Sequence, residues 1–126
     1  MSKVLVIEDE EILAKILQDK FRNEDFLVET AGDGEAAVPI ARSFSPDIVV
    51  LDLILPKKDG FQVLKELKAD SALKNVPVII LSNLGQEDEI KKGYALGAAD
   101  YLVKAQNPIK AVVEKVKSYL VKYKKI

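Results

Sequence analysis

The chain contains no cysteine and no histidine. Without cysteine there is no disulfide, no thiol nucleophile and no thiolate zinc site. Without histidine there is no serine–histidine triad, no histidine-bound zinc and no phosphohistidine carried on this chain. An excess of one charge is missing too: 19 basic against 20 acidic residues leave a net charge of −1, which draws the chain to neither nucleic acid nor a membrane surface. No apolar run approaches the ~20 residues of a membrane span. Met1-Ser2-Lys3 leads directly into a strand pattern rather than a signal peptide, so the expected location is the cytoplasm. Repeats, low-complexity stretches and linkers are also absent. Any chemistry must use carboxylates, lysines, hydroxyls and a hard metal ion.

What is present is an alternating pattern of strands and helices in 126 residues, long enough for one substantial core and too short for two. Lys3–Glu8 reads as a strand, and Ile12, Leu13, Ile16, Leu17 and Phe21 follow at helical spacing. Phe26–Thr30 is a second strand, and Asp33 is the expected N-cap of a helix carrying Ala36, Ala37, Ile40 and Ala41. Pro39 is expected to kink or shorten that helix, because it removes an interior hydrogen bond. Ser45-Pro46 opens a third strand running to Asp52, and Phe61, Leu64 and Leu67 mark the third helix. Pro77–Leu81 is the fourth strand, Gln86–Leu96 a polar fourth helix with Ile90 and Tyr94 as anchors, and Gly97 its C′ residue. Ala99–Val103 is the fifth strand, and Ile109, Val112, Val113, Val116 and Leu120 line the last helix. Such alternation predicts an α/β fold, a doubly wound parallel sheet with helices on both faces.

Apolar β-branched runs that end in carboxylates are the informative feature. Val4-Leu5-Val6-Ile7 leads into Glu8-Asp9, and Ile48-Val49-Val50-Leu51 into Asp52. Buried parallel strands end where open α/β sheets bind ligands. Asp9 or Glu10 is explicable as a helix cap ahead of Ile12, but no helix follows Asp52 directly. Strand 4 adds Ser82-Asn83 and strand 5 adds Lys104 on the same edge. Carboxylates gathered this closely call for a cation, and oxygen donors suit Mg²⁺. Taken singly, Lys104 is an ordinary surface lysine, Ser82 a turn cap and Tyr101 an edge-strand residue. Together with the acids they make a site for a transferring phosphoryl group, with Asp52 as nucleophile.

Glu8-Asp9, Asp52, Ser82 and Lys104, with Leu55-Pro56-Lys57-Lys58-Asp59-Gly60 and Gly97-Ala98-Ala99-Asp100-Tyr101, resemble the receiver domain of two-component response regulators over essentially the whole chain. The resemblance implies a flavodoxin-like five-stranded sheet of order 2-1-3-4-5, spanning 1–122, with 123–126 as a basic tail. It implies Asp52 as phosphoacceptor, and Mg²⁺ or Mn²⁺ held by Glu8, Asp9, Asp52 and the Ile54 carbonyl. Ser82 and Lys104 would bind phosphoryl oxygens, and Tyr101 would turn inward once Ser82 moves. The implied role is signalling rather than turnover of a substrate. A sensor histidine kinase or phosphotransfer protein would supply the phosphoryl group, and the face of helix 4, strand 5 and helix 5 would carry the output. The domain itself would bind neither nucleic acid nor membrane, and would be a monomer able to pair through that face when phosphorylated. Lys122-Tyr123-Lys124-Lys125 is expected to fray.

The chain departs from the family pattern at three places. Ala105 follows Lys104 where proline in a cis peptide is usual, so the peptide is either forced cis or the loop rearranges to trans. Asn83 replaces a small residue after Ser82. Ile54 and Leu84 are apolar where some relatives carry polar groups beside the attacking water, which predicts slow loss of the phosphoryl group. Three other readings compete. A haloacid-dehalogenase-type phosphatase wants an acid at the position of Ile54. An FMN-binding flavodoxin wants a glycine- and hydroxyl-rich loop, where this chain has Glu8-Asp9-Glu10-Glu11. A receiver used only for docking would not need its complete set of site residues.

Overall fold

The structure, a computed structural model, describes the backbone of residues 1–124 and the side chains of residues 1–121. Five strands alternate with five helices: β1 (Lys3–Ile7), α1 (Glu11–Asn23), β2 (Leu27–Ala31), α2 (Gly34–Phe44), β3 (Ile48–Leu51), α3 (Gly60–Ala69), β4 (Val78–Ser82), α4 (Glu87–Ala95), β5 (Asp100–Val103) and α5 (Ile109–Lys124). All strand pairs are parallel, as the alternation of strands and helices predicts, in the order β2-β1-β3-β4-β5 that the resemblance implies.

Alternation along each strand divides the core in two. Leu5, Ile7, Val49, Leu51, Val78, Ile80 and Tyr101 pack with Ala37, Ala41, Val63, Leu64 and Leu67 of α2 and α3. Val4, Val6, Ile48, Val50, Ile79, Leu81 and Leu102 pack with Leu17 and Phe21 of α1 and with Val112, Val116 and Leu120 of α5. Each fully buried aliphatic side chain contributes roughly 1.5–3 kcal/mol. α4 has no apolar stripe of this kind: Gly93 is its one buried residue, and Ile90 only flanks the core.

Local details refine the sequence expectations. β1 stops at Ile7 and β3 at Leu51, so Glu8 and Asp52 are each the first residue beyond their strand. β2 is displaced by one residue from Phe26–Thr30. Asp33 caps α2 as expected, accepting the Ala36 N–H at 2.8 Å. Pro39 does not shorten α2, which runs on to Phe44; it lies on the exposed face, where a carbonyl without its helical partner is tolerated best. Glu10 stands at the N-cap of α1, but its side chain makes no cap hydrogen bond there. Gly97 takes φ 107°, a left-handed conformation that suits glycine as the C′ residue. Helical backbone continues through Tyr123 and Lys124 of the expected tail, and the remainder, 125–126, lies outside the described residues.

Candidate functional site

Register brings the acids together. β1 and β3 pair with Ile7 opposite Leu51, and the Asp52 N–H continues the ladder to the Ile7 carbonyl at 2.9 Å. Glu8 continues the row of Val4 and Val6, Asp52 that of Ile48 and Val50, and Lys104 follows Leu102, so all three leave the sheet on the α1–α5 side. The Lys104 ammonium lies 2.8 Å from Glu8 Oε1, 2.9 Å from Asp52 Oδ2 and 3.2 Å from Glu10 Oε2. The side chains of Glu8, Asp52 and Lys104 are 2%, 4% and 12% exposed, so this cluster is largely desolvated. Glu8 Oε2 accepts the Glu10 N–H at 3.1 Å, and Asp52 Oδ1 accepts the Ile54 N–H at 3.1 Å.

Desolvation dominates the electrostatics of Glu8. Burial, with the nearby Asp52 charge, pushes its carboxyl up to about 7 against the hydrogen bonds from Lys104 and the Glu10 N–H. Burial alone would lower Lys104, but its hydrogen bonds to Glu8 and Asp52 outweigh burial and hold it well above the usual lysine range. Asp9 is exposed at the rim. Oxygen atoms of Glu8, Asp9 and Asp52 lie within 4.8 Å of one another, the one acidic group among the described residues arranged to hold a metal ion. Hard oxygen donors of this kind fit a divalent cation such as Mg²⁺ or Mn²⁺, and the Lys104 ammonium is the cation between them here.

Ser82 and Tyr101 form a second group. Ser82 continues the row of Val78 and Ile80 and is fully buried. Its Oγ accepts the Leu84 N–H at 3.4 Å, while the Tyr101 hydroxyl donates to the Leu84 carbonyl at 2.5 Å. Burial, then the charges of Glu89 and Asp52, pushes the Tyr101 phenol up to about 12. Tyr101 is 8% exposed and thus already inward while Lys104 pairs with an unmodified Asp52. The sequence reading places that inward turn after a movement of Ser82.

Asn83 and Ile54 are exposed, and Leu84 is half-buried. The Lys104–Ala105 peptide is trans, and Lys104–Gln106 forms one turn of 3₁₀ helix, the rearranged alternative. Two contributors, visible in the sequence as a carboxylate after β1 and as a turn glycine, carry no site role in the sequence reading. Glu10 is the third carboxylate on Lys104. Gly60 lets α3 start hard against the loop after β3, because a Cβ there would run into the backbone of Asp52 and Leu53. The signal for Gly60 is its place right after the α3 N-cap Asp59, which accepts the Gln62 N–H.

Fold and site define a doubly wound sheet with an acidic, cation-holding pocket on its carboxyl edge. The family model of the response regulator receiver domain matches residues 4–117, and the chain belongs to that family. Receivers are signalling modules of two-component systems, which pair with histidine kinases. The chain is 41% identical over 106 residues to the "Probable transcriptional regulator ycf27" of Guillardia theta, covering 84% of this chain and 41% of that protein. It is 37% identical over 118 residues to the alkaline phosphatase synthesis transcriptional regulatory protein PhoP of Bacillus subtilis, covering 94% of this chain and 48% of that protein. It therefore spans about half the length of the curated relatives it matches. Among solved structures, the receiver domain of the Francisella response regulator 1452 superposes with a TM-score of 0.85 at 32% identity, over 93% of this chain and 94% of that one. The Mn²⁺-bound response regulator Rcp1 superposes with a TM-score of 0.83 at 28% identity, over 98% and 96%. No helix among the described residues is long and apolar enough to cross a membrane.

Proposed function

We propose that this chain is a phosphorylatable receiver in which Asp52 accepts a phosphoryl group from the phosphohistidine of a sensor kinase or phosphotransfer protein. An oxygen of Asp52 attacks the phosphorus, forming an acyl phosphate. The phosphorus–nitrogen bond breaks, its electron pair stays on the partner's imidazole, and the imidazole takes a proton from solvent. Glu8, Asp9, Asp52 and the Ile54 carbonyl would hold Mg²⁺ or Mn²⁺, and a divalent cation there neutralises the crowded negative charge around the transferring group. Lys104 and Ser82 bind phosphoryl oxygens. Tyr101 belongs to the α4–β5–α5 face, which meets the output partner or a second phosphorylated copy. That face lies on the most thinly anchored helix, which suits an element whose position shifts with the chemistry.

The observation that carries this reading is the sharing of one ammonium by two buried carboxylates, Glu8 and Asp52, beside the exposed Asp9. A docking-only receiver has no need to maintain so costly an arrangement. Incubation with acetyl phosphate and Mg²⁺ should place one phosphate on Asp52, located by mass spectrometry. Asp52→Asn and Asp9→Ala should abolish it. Phosphate found on Ser82 or Asp9, or undiminished labelling of Asp9→Ala, would overturn the assignment.

A further inference from the structure

We propose that Asn107 is the positioning residue that keeps Lys104 aimed at the phosphoacceptor. The inference deepens the reading of Asp52 as acceptor and rests on it. Lys104 is the first residue after β5, and the strand residue before it, Val103, pairs with Ser82. The end of β5 therefore sets the position of both groups assigned to the phosphoryl oxygens. In the structure Lys104 is held by ion pairs to Glu8, Asp52 and Glu10. The two buried pairs cannot aim it during phosphorylation, when Glu8 would turn to a divalent cation and Asp52 to phosphorus, and the third rests on a Glu10 side chain that is 62% exposed. Backbone must then do the aiming.

Apart from the single 3₁₀ turn opened by the Val103 carbonyl, little in the connection restrains that backbone. Ala105 and Gln106 are exposed, and the hydrogen bond that closes the 3₁₀ turn, Asn107 N–H to the Lys104 carbonyl, is long at 3.4 Å. The Asn107 side chain supplies the restraint, with its amide Nδ2 donating to the Val103 carbonyl at 3.0 Å. A carbonyl requires a donor, which fixes the orientation of the amide. Asn107 is itself well anchored. It precedes Pro108, which confines it to extended backbone (φ −133°, ψ 104°), and the Pro108 carbonyl accepts the Ala111 and Val112 N–H groups that open α5. Its side chain and the Lys104 stem share the wall of a cavity of about 90 Å³ with Leu13, Leu81, Ile109 and Val112. Removing the amide takes its bond from the Val103 carbonyl, leaves the 3₁₀ turn as its remaining local restraint, and lets the Lys104 stem shift against that space.

The test compares the full chain with Asn107→Ala and with Asn107→Asp, the latter keeping the shape while its carboxylate cannot donate to Val103. Labelling rates with acetyl phosphate are measured across a Mg²⁺ titration. Both variants should show a maximal rate about ten-fold lower, the scale of a lost hydrogen bond plus misalignment, with the half-saturating Mg²⁺ concentration unchanged. Unchanged rates in both variants, or rate and Mg²⁺ affinity falling together as the whole site loosens, would overturn the role of Asn107. Failure of the unaltered chain to label at all would instead overturn the phosphoacceptor reading.

Discussion

Lys104→Met removes the cation from between two buried carboxylates while leaving an apolar stem of similar length. Oxygen atoms of Glu8 and Asp52 lie no more than 4.8 Å apart. At an effective dielectric of about 20, that repulsion is on the order of 3 kcal/mol. Protonation of Glu8 sets a ceiling on the damage. Keeping a carboxylate with an ordinary pKa near 4.5 protonated at about pH 7.5 costs roughly 4 kcal/mol, and at about pH 5.5 little more than 1. The unaltered chain, with Glu8 raised to about 7, already bears most of that cost at both pH values, so in metal-free buffer the variant should lose about 3 kcal/mol, the scale of a broken buried pair, with at most about 1 kcal/mol more lost at the higher pH than at the lower. The unaltered metal-free chain carries most of that slope itself. Its Glu8 titrates at about 7 folded against 4.5 unfolded, so this stability is complete below pH 4.5 and is lost as pH rises through 7. Mg²⁺ at a hundred times its dissociation constant returns about 2.7 kcal/mol to any native state that binds it. At a fixed concentration it should rescue the variant more than the unaltered chain, whose ammonium competes for the same oxygens. Urea denaturation followed by far-UV circular dichroism, with chelator or Mg²⁺ at both pH values, measures every term. A variant as stable as the unaltered chain in chelator at the higher pH, or one that gains less from Mg²⁺, would refute the reasoning.

Phosphoryl lifetime should respond to Ile54 and Leu84, which offer no hydrogen bond to an attacking water. An Ile54→Asn, Leu84→Glu double variant should release phosphate faster than the unaltered chain, by roughly ten-fold if water alignment is worth a single hydrogen bond, and slower release would remove the shielding argument. Lys57 has φ 71° next to the site, in a turn closed by the Lys58 N–H to the Pro56 carbonyl at 2.8 Å. A lysine there bears about 1 kcal/mol of left-handed strain that glycine avoids, so Lys57→Gly should raise the urea midpoint at an unchanged slope.

The sheet was legible because its strands are continuous apolar runs separated by helical patterns, and nothing in this chain imitates that arrangement. The acids were legible for a related reason, since buried strands rarely end in carboxylates. The rest depended on competition that a sequence does not record. Glu8, Asp9 and Glu10 are chemically alike, yet Glu8 alone is buried and accepts the Glu10 N–H, because it alone continues the inward row of Val6, and that burial raises its pKa. Pro39 is tolerated within α2 because of which face it occupies, a matter of helix phase rather than of proline. Asn107 gave no signal, because its amide reaches back four residues to a strand carbonyl that becomes a partner only once the turn has formed.

Strand parity also explains why the proposed chemistry and its readout are separate in space yet connected. Glu8, Asp52 and Lys104 leave the sheet on the α1–α5 side, while Ser82 and Tyr101 continue the rows facing α3 and α4. Leu84 is the junction, its N–H on Ser82 and its carbonyl on Tyr101. If Ser82 turns to a phosphoryl group on Asp52, it gives up a long 3.4 Å bond and leaves the Leu84 N–H to find another acceptor. The Tyr101 hydroxyl is not so easily released, because its bond is short and its ring fills the space left by Gly93, where a Cβ would press on that ring and on Ile80. The inward orientation of Tyr101 is therefore set by α4 and the Leu84 carbonyl and does not require a phosphoryl group. On the proposed phosphorylation of Asp52 the Leu84 loop would respond first, and α4 would follow because Tyr101 fastens that loop to the surface on which α4 rests.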